Sequence, residues 1–241
     1  MQTTAKPLSR DAIKYIAMFF MLCNHAANIF CPPGVFPWQV IADLGYFTAI
    51  TMCFFLVEGY RRTSSPRKYG QRLLIFALLS QLPYRLALEN YHNFNMLFTL
   101  LLCLLLLVGL DRCKNVPLKI LLSLAVMALS VFSDWAFMAP LFTLLFAWAG
   151  TDRRRQSAAF LISILLFGGL NFVSYLEQLT AAQALLWTFS SVLGQILAAI
   201  CILFLYNGQR SQRRRTFSKW FFYAFYPLHL LVLGLLRIAI A

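Results

Sequence analysis

Ala182-Gln-Ala-Leu-Leu-Trp-Thr-Phe-Ser-Ser-Val-Leu-Gly-Gln-Ile-Leu-Ala-Ala-Ile-Cys-Ile-Leu-Phe-Leu-Tyr206 carries no charge in 25 positions, and Arg210, Arg213, Arg214, Arg215 and Lys219 follow it closely. A helix rises about 1.5 Å per residue, so roughly 20 apolar residues cross a hydrocarbon layer of about 30 Å. This stretch is long enough to span a bilayer, and its cationic flank suits an anionic membrane surface. The same pattern recurs along the chain. Windows of about 19 residues place further spans at Ile13–Phe30, Gln39–Gly59, Arg72–Leu88, Asn95–Leu110, Leu118–Phe132, Trp135–Ala149, Ala158–Tyr175 and Trp220–Ile240. The expected fold is therefore all-α and polytopic, a single membrane domain over residues 1–241 with about nine transmembrane helices, in a range of eight to ten. Only Ser133 and Asp134 separate the short fifth and sixth spans, which leaves a broken or re-entrant hairpin open there.

Composition agrees. Hydrophobic residues make up 61% of the 241 residues and charged residues 12%, against roughly half and a quarter in soluble domains. The net charge of +13 could suggest a nucleic-acid partner, but the placement of the cations argues against one. When loops alternate between the two sides, Lys6, Arg10, Lys14, Arg61, Arg62, Arg67, Lys68, Arg72, Arg112, Lys114, Lys119, Arg153, Arg154, Arg155, Arg210, Arg213, Arg214, Arg215 and Lys219 share one side, and only Arg85 and Arg237 fall on the other. By the positive-inside rule that side is cytoplasmic, and so is the amino terminus. Membrane lipids are the expected surroundings. No Cys-x-x-Cys or His-plus-Cys spacing marks a metal site, so no metal is expected.

Ionisable groups inside spans are costly and therefore informative. His25 lies eleven residues beyond Lys14, about 16 Å along the helix axis and on nearly the same face. Asn24 and Asn28 share a neighbouring face, and either could orient the imidazole. A second deep histidine, His229, follows Tyr226 and Pro227 in the last span. Between the second and third spans, Glu58 stands one turn before Arg61 and Arg62, with Arg67, Lys68 and Arg72 beyond. These cations can hold Glu58, or receive the phosphates of a nucleotide-bearing donor. Gln81 and Arg85 share a face beside Pro83, Asn95 opens the fourth span, and Asp43, Glu89, His92 and Glu177 are expected to be solvated outside the membrane.

At Leu8 to Met18 with Asn24-His25, at Leu56 to Arg61, at Lys68 to Pro83, at Asn95 to Thr99 and at Phe222 to His229, the chain resembles the TraX family. That resemblance implies acetylation of an acceptor, by the family's named member the amino terminus of conjugative pilin. Members usually carry Asp-His in the first span, where this chain has Asn24-His25. The basic residue eleven positions before His25 also looks like the first-span signature of the type-three membrane acyltransferases, with Lys14 in place of the more usual Arg.

The expectation is then an inner-membrane acyltransferase using acetyl-CoA as cosubstrate. His25 would be general base or acyl carrier, Asn24 its orienting group and His229 a second base or oxyanion donor. Lys14, Arg61, Arg62 and Arg72 would meet the donor's phosphates, with Glu58 organising Arg61, and Gln81, Arg85, Asn95 and Tyr226 in support. The acceptor, pilin or another envelope polymer, is not readable from these residues, nor is the oligomeric state. Two other readings stay open: a transporter whose path is lined by His25, His229, Arg85 and Gln81, and a non-catalytic assembly factor.

Overall fold

Helix boundaries fall where the sequence supplies caps. The computed structural model describes residues 6–211 and 215–240, with Arg215 described by its backbone alone; Arg213 and Arg214 of the basic stretch lie outside the described residues. Among these, ten α-helices form: α1 (Arg10–Phe30), α2 (Phe36–Leu44), α3 (Tyr46–Arg62), α4 (Pro66–Leu88), α5 (Met96–Arg112), α6 (Val116–Leu129), α7 (Met138–Ala149), α8 (Arg153–Leu176), α9 (Ala181–Ile200) and α10 (Arg215–Ile240). A 3-10 turn extends α6 over Ser130–Phe132 and a π turn extends α9 over Cys201–Leu205. No strand forms among the described residues. Five segments are long and apolar enough to cross a membrane: Arg10–Phe30, Phe36–Arg62, Arg153–Leu176, Ala181–Leu205 and Thr216–Ile240. Large apolar side chains such as Leu78, Leu82, Leu121, Leu165, Leu170 and Phe204 stand on exposed faces, which suits contact with lipid rather than water. The protein is thus a helical membrane protein.

The chain divides into two compact units. The first comprises Met1–Thr51 and Thr151–Phe225, and so holds α1, α2, the start of α3, α8, α9 and the first turns of α10. Ser9 Oγ accepts from the Ala12 amide to open α1. Asp152 Oδ1 accepts from the amides of Arg154 and Arg155 to open α8. Thr180 and Gln183 form a reciprocal capping box on α9. At the far end of α9 the π turn leaves carbonyls to be satisfied from outside. Lys6 Nζ donates to the Leu203 carbonyl at 2.9 Å, the Arg153 guanidinium donates to the same oxygen, and Leu8 N donates to Leu205 O at 3.0 Å. Cations at a helix carboxyl end complement its dipole.

The expected second span, Gln39–Gly59, lies within the single apolar segment Phe36–Arg62, whose helix is interrupted at Gly45 between α2 and α3. Asn24 Nδ2 of α1 donates to the Ala42 carbonyl at 2.6 Å, and a Cβ on Gly45 would lie 2.2 Å from Asn24 Cβ. From the opposite helix, a Cβ on Gly194 would lie 2.6 Å from Phe47 N and 2.8 Å from the carbonyl oxygens of Asp43 and Leu44. The break is therefore gripped by α1 and α9 at two positions that only glycine can occupy.

The second unit comprises Met52–Gly150 and Tyr226–Ala241. Ser65 caps α4 with Pro66 in its first turn, so this helix begins before the expected Arg72 and runs through Pro83 to Leu88. Asn95 Oδ1 accepts from Leu97 N to open α5. The 14-residue α6 and 12-residue α7 are separate helices, joined by a strained link in which Trp135 and Phe137 have φ of 60° and 56°. In the same unit α10 crosses the last turn of α4 at Gly234, where an added Cβ would lie 3.1 Å from Ala87 N.

Candidate functional site

The residues singled out in the sequence fall into two polar groups, one in each unit. In the first unit the centre is the α2–α3 break. His25 is buried on α1, one residue from the Asn24 side chain that holds Ala42. The Asn24 amide thus fixes α2 through its nitrogen, a duty that the sequence did not suggest. Lys14 lies with its ammonium 5.1 Å from the centre of the Phe222 ring, an attractive cation–π distance. Next to it, Tyr15 meets Ser218 Oγ at 3.1 Å and packs on Phe221 and Phe222.

Asp43 corrects the reading of a solvated external acid, because it is fully buried. Its carboxylate is satisfied on both oxygens: Gln39 Nε2 donates to Oδ1 at 2.8 Å and Ser190 Oγ donates to Oδ2 at 2.7 Å. Burial without those donors would be costly. Glu89, His92 and Glu177 are exposed, as expected. Gln195, one residue from Gly194, is also fully buried, and neither atom of its amide has a partner among the described residues.

In the second unit, α4, the loop after it and α10 converge. Asn95 is fully buried. Its backbone N and its Nδ2 both donate to Gln81 Oε1, at 3.0 and 2.8 Å, and Nδ2 also donates to Ala77 O at 2.8 Å. Gln81 Nε2 in turn donates to Asn93 O at 3.0 Å. The structure therefore joins two expected support residues, Gln81 and Asn95, directly. Tyr226 and His229 are both buried on α10, with ring centroids 5.7 Å apart. Arg85 sits on α4 with its Nε buried and unpartnered among the described residues.

Two residues of this group were not singled out in the sequence. Tyr84 accepts from Asn90 Nδ2 at 3.3 Å, and Asp134 is held through its backbone, its N donating to Phe94 O at 2.8 Å and its carbonyl accepting from Thr99 Oγ1 at 2.6 Å. Burial pushes the Asp134 carboxyl up to about 6, against the lowering effect of the Trp135 amide. The available signal was weak: an acid in the short polar gap between two apolar segments, and a tyrosine after a proline.

The cations behave differently from expectation. Glu58 pairs with Arg62, Nη1 to Oε1 at 3.1 Å, whereas it was expected to organise Arg61. Both i+3 and i+4 lie on the Glu58 face, but Arg61 is drawn away to donate from Nη2 to Ala147 O at 2.7 Å at the end of α7. The Arg72 guanidinium lies 5.8 Å from the centre of the Tyr69 ring, and its Nε has no hydrogen-bond partner among the described residues.

A helical membrane protein with an imidazole buried in its first helix is the class that these features define. The sequence profile of the TraX protein family matches residues 9–237. This chain belongs to the TraX family. It is similar to a probable fimbrial assembly protein, FimC of serogroup H1, from Dichelobacter nodosus, at 31% identity covering 92% of each chain. No solved structure matches it.

Proposed function

We propose that the chain is a membrane acyltransferase of the bacterial inner membrane that moves an acetyl group from acetyl-CoA to an acceptor in pilus or fimbrial assembly. The observation that carries this reading is His25, a buried imidazole deep in α1, eleven residues beyond Lys14 and in a member of the TraX family. The fimbrial assembly name of the Dichelobacter nodosus relative supports the pilus setting. We further take the chain to cross the membrane about nine times with its amino terminus in the cytoplasm, because nineteen of the 21 Lys and Arg residues then share the inner side.

In this reading the acceptor nitrogen or oxygen attacks the thioester carbonyl carbon, the new bond forms as the carbon–sulfur bond breaks, and coenzyme A leaves as thiolate. His25 takes the acceptor's proton and returns it to the leaving sulfur. Lys14, on the same helix as His25, supplies a cation for the donor's phosphates. Arg61 and Arg62 are engaged with Ala147 and Glu58.

The test is transfer of label from acetyl-CoA to envelope proteins and glycans in membranes with the native chain or with His25→Ala. Label should disappear by at least about a hundredfold, the scale of a lost general base, while the amount of protein in the membrane stays unchanged. Retained labelling would sink the mechanism. A non-catalytic assembly role is the second reading, favoured by the relative's name; transfer that appears only in Asn24→Asp would support it.

A further inference from the structure

We propose that Lys6 and Arg153, held together on one backbone oxygen at the carboxyl end of α9, form a binding site for a terminal phosphate group. The site lies within the first unit. It does not rest on the acyltransferase reading, in which Lys14 serves the donor.

Three observations carry it. First, the register of the chain sets the two cations side by side. Residues 6–10 run along the segment that follows α9: Leu8 N donates to Leu205 O at 3.0 Å, Asn207 N to Leu8 O at 3.0 Å and Arg10 N to Gln209 O at 2.9 Å. That brings Lys6 to the π turn, where its Nζ donates to Leu203 O at 2.9 Å, and the Arg153 guanidinium donates to the same oxygen from the start of α8. Two nitrogens that share one acceptor stand within about 6 Å of each other, a spacing at which like charges repel. Burial and the charge of Arg153 lower the Lys6 ammonium below its usual value.

Second, one cation is enough to satisfy a carbonyl and complement the end of a helix. The other adds only repulsion unless the two share an anion, and no acid of this unit supplies one. Of its four, Asp11 lies 3.8 Å from Arg210 and Asp43 is buried between Gln39 and Ser190. Asp152 accepts from the Arg154 and Arg155 amides, and Glu177 follows the far end of α8, about 36 Å along the axis from Arg153. Among the described residues neither Lys6 nor Arg153 pairs with a carboxylate. Third, donors remain: two of the three protons of the Lys6 ammonium and four of the five of the Arg153 guanidinium have no acceptor among the described residues. Arg153 is exposed and Lys6 half-buried, so a ligand can reach both.

The chemistry selects the ligand. Two adjacent positive charges with N–H donors around them match a terminal phosphate, which carries about 1.5 to 2 negative charges at pH 7 and three acceptor oxygens. A carboxylate or a phosphodiester brings a single charge and leaves half of the repulsion in place. The phosphate can belong to a lipid, phosphatidic acid, or to a water-soluble nucleotide, since the site stands at the end of a membrane-length segment.

The experiment is native mass spectrometry of the full chain in a neutral detergent at pH 7. The probes are phosphatidic acid against phosphatidylcholine, and adenosine 5′-diphosphate against adenosine. In at least one pair, one molecule of the phosphate-terminated probe should bind about tenfold more tightly than its control, the scale of a hydrogen bond between charged groups. Lys6→Gln and Arg153→Gln should each abolish that preference, whereas Lys114→Gln, at a cation of the second unit, should leave it unchanged. Either variant of the pair leaves the other cation on Leu203 O, so α9 keeps a cap, and Lys6→Gln keeps the test decisive if Arg153→Gln fails to accumulate. A preference confined to phosphatidic acid identifies a lipid ligand, and one for the diphosphate identifies a soluble nucleotide. No preference in either pair, a preference that Lys6→Gln leaves intact, or one that Lys114→Gln reduces equally, overturns the proposal. Loss of acetyl transfer in every assay would reject the acyltransferase reading and leave the binding result standing.

Discussion

Asp43 in the first unit and Asp134 in the second are both acids close to a helix end, and they differ in how they are held. Asp43 is fully buried and receives a donor on each oxygen, from Gln39 and Ser190. Asp134 is half-buried and is tied through its backbone, at both N and O. A carboxylate taken wholly out of water needs donors of its own, whereas one that keeps some exposure can be placed by its main chain. The first unit thus uses its polar side chains to fix the α2–α3 break beside His25, and the second fixes the α6–α7 link through the backbone.

The largest effect should come from the grip on the break. Gly194→Val pushes a side chain into Phe47 N and the carbonyls of Asp43 and Leu44, which costs about 3 kcal/mol or more; little folded protein should survive a thermal ramp in detergent. A Gly194→Val chain that melts with the native one would show that this close approach is not needed.

Asp43→Ala should come next, at about 2–3 kcal/mol, because the Ser190 and Gln39 donors are left buried without their acceptor. A melting temperature for Asp43→Ala equal to the native one would show that Asp43 is solvated.

The smallest effect is a matter of pH. The Asp134 carboxyl rises from 3.8 in the open chain to about 6 in the fold, through burial. A raised carboxyl binds its proton more tightly when folded, so its contribution to stability is full below pH 4 and is lost as pH rises through 6. Melting temperatures of the native chain should therefore fall relative to Asp134→Asn between pH 4 and pH 6.5, and run parallel above that. Parallel curves throughout would mean that the acid is solvated.

Much of this was legible in the chain itself. Helix-forming apolar runs of about 20 residues show themselves locally, and so do caps such as Ser9, Ser65, Asp152 and Thr180. His25, His229, Gln81 and Asn95 stood out because a polar group in an apolar run is costly wherever it lies. The break at Gly45 did not show, since a glycine in a helix signals nothing until Asn24 and Gly194 are seen against it. Nor did Asp43, which near a span end reads as solvated until Ser190, 147 residues away, is brought to it. Glu58 could reach either arginine by sequence distance, and the end of α7 decided the matter by taking Arg61.

Sequence alone determined that this is a helical membrane protein, because hydropathy is additive along the chain and needs no partner. The tertiary structure alone decided which buried polar groups are satisfied. Satisfaction is a property of pairs distant in sequence, and it separates Asp43, which has a donor on each oxygen, from Gln195, whose buried amide has no partner among the described residues.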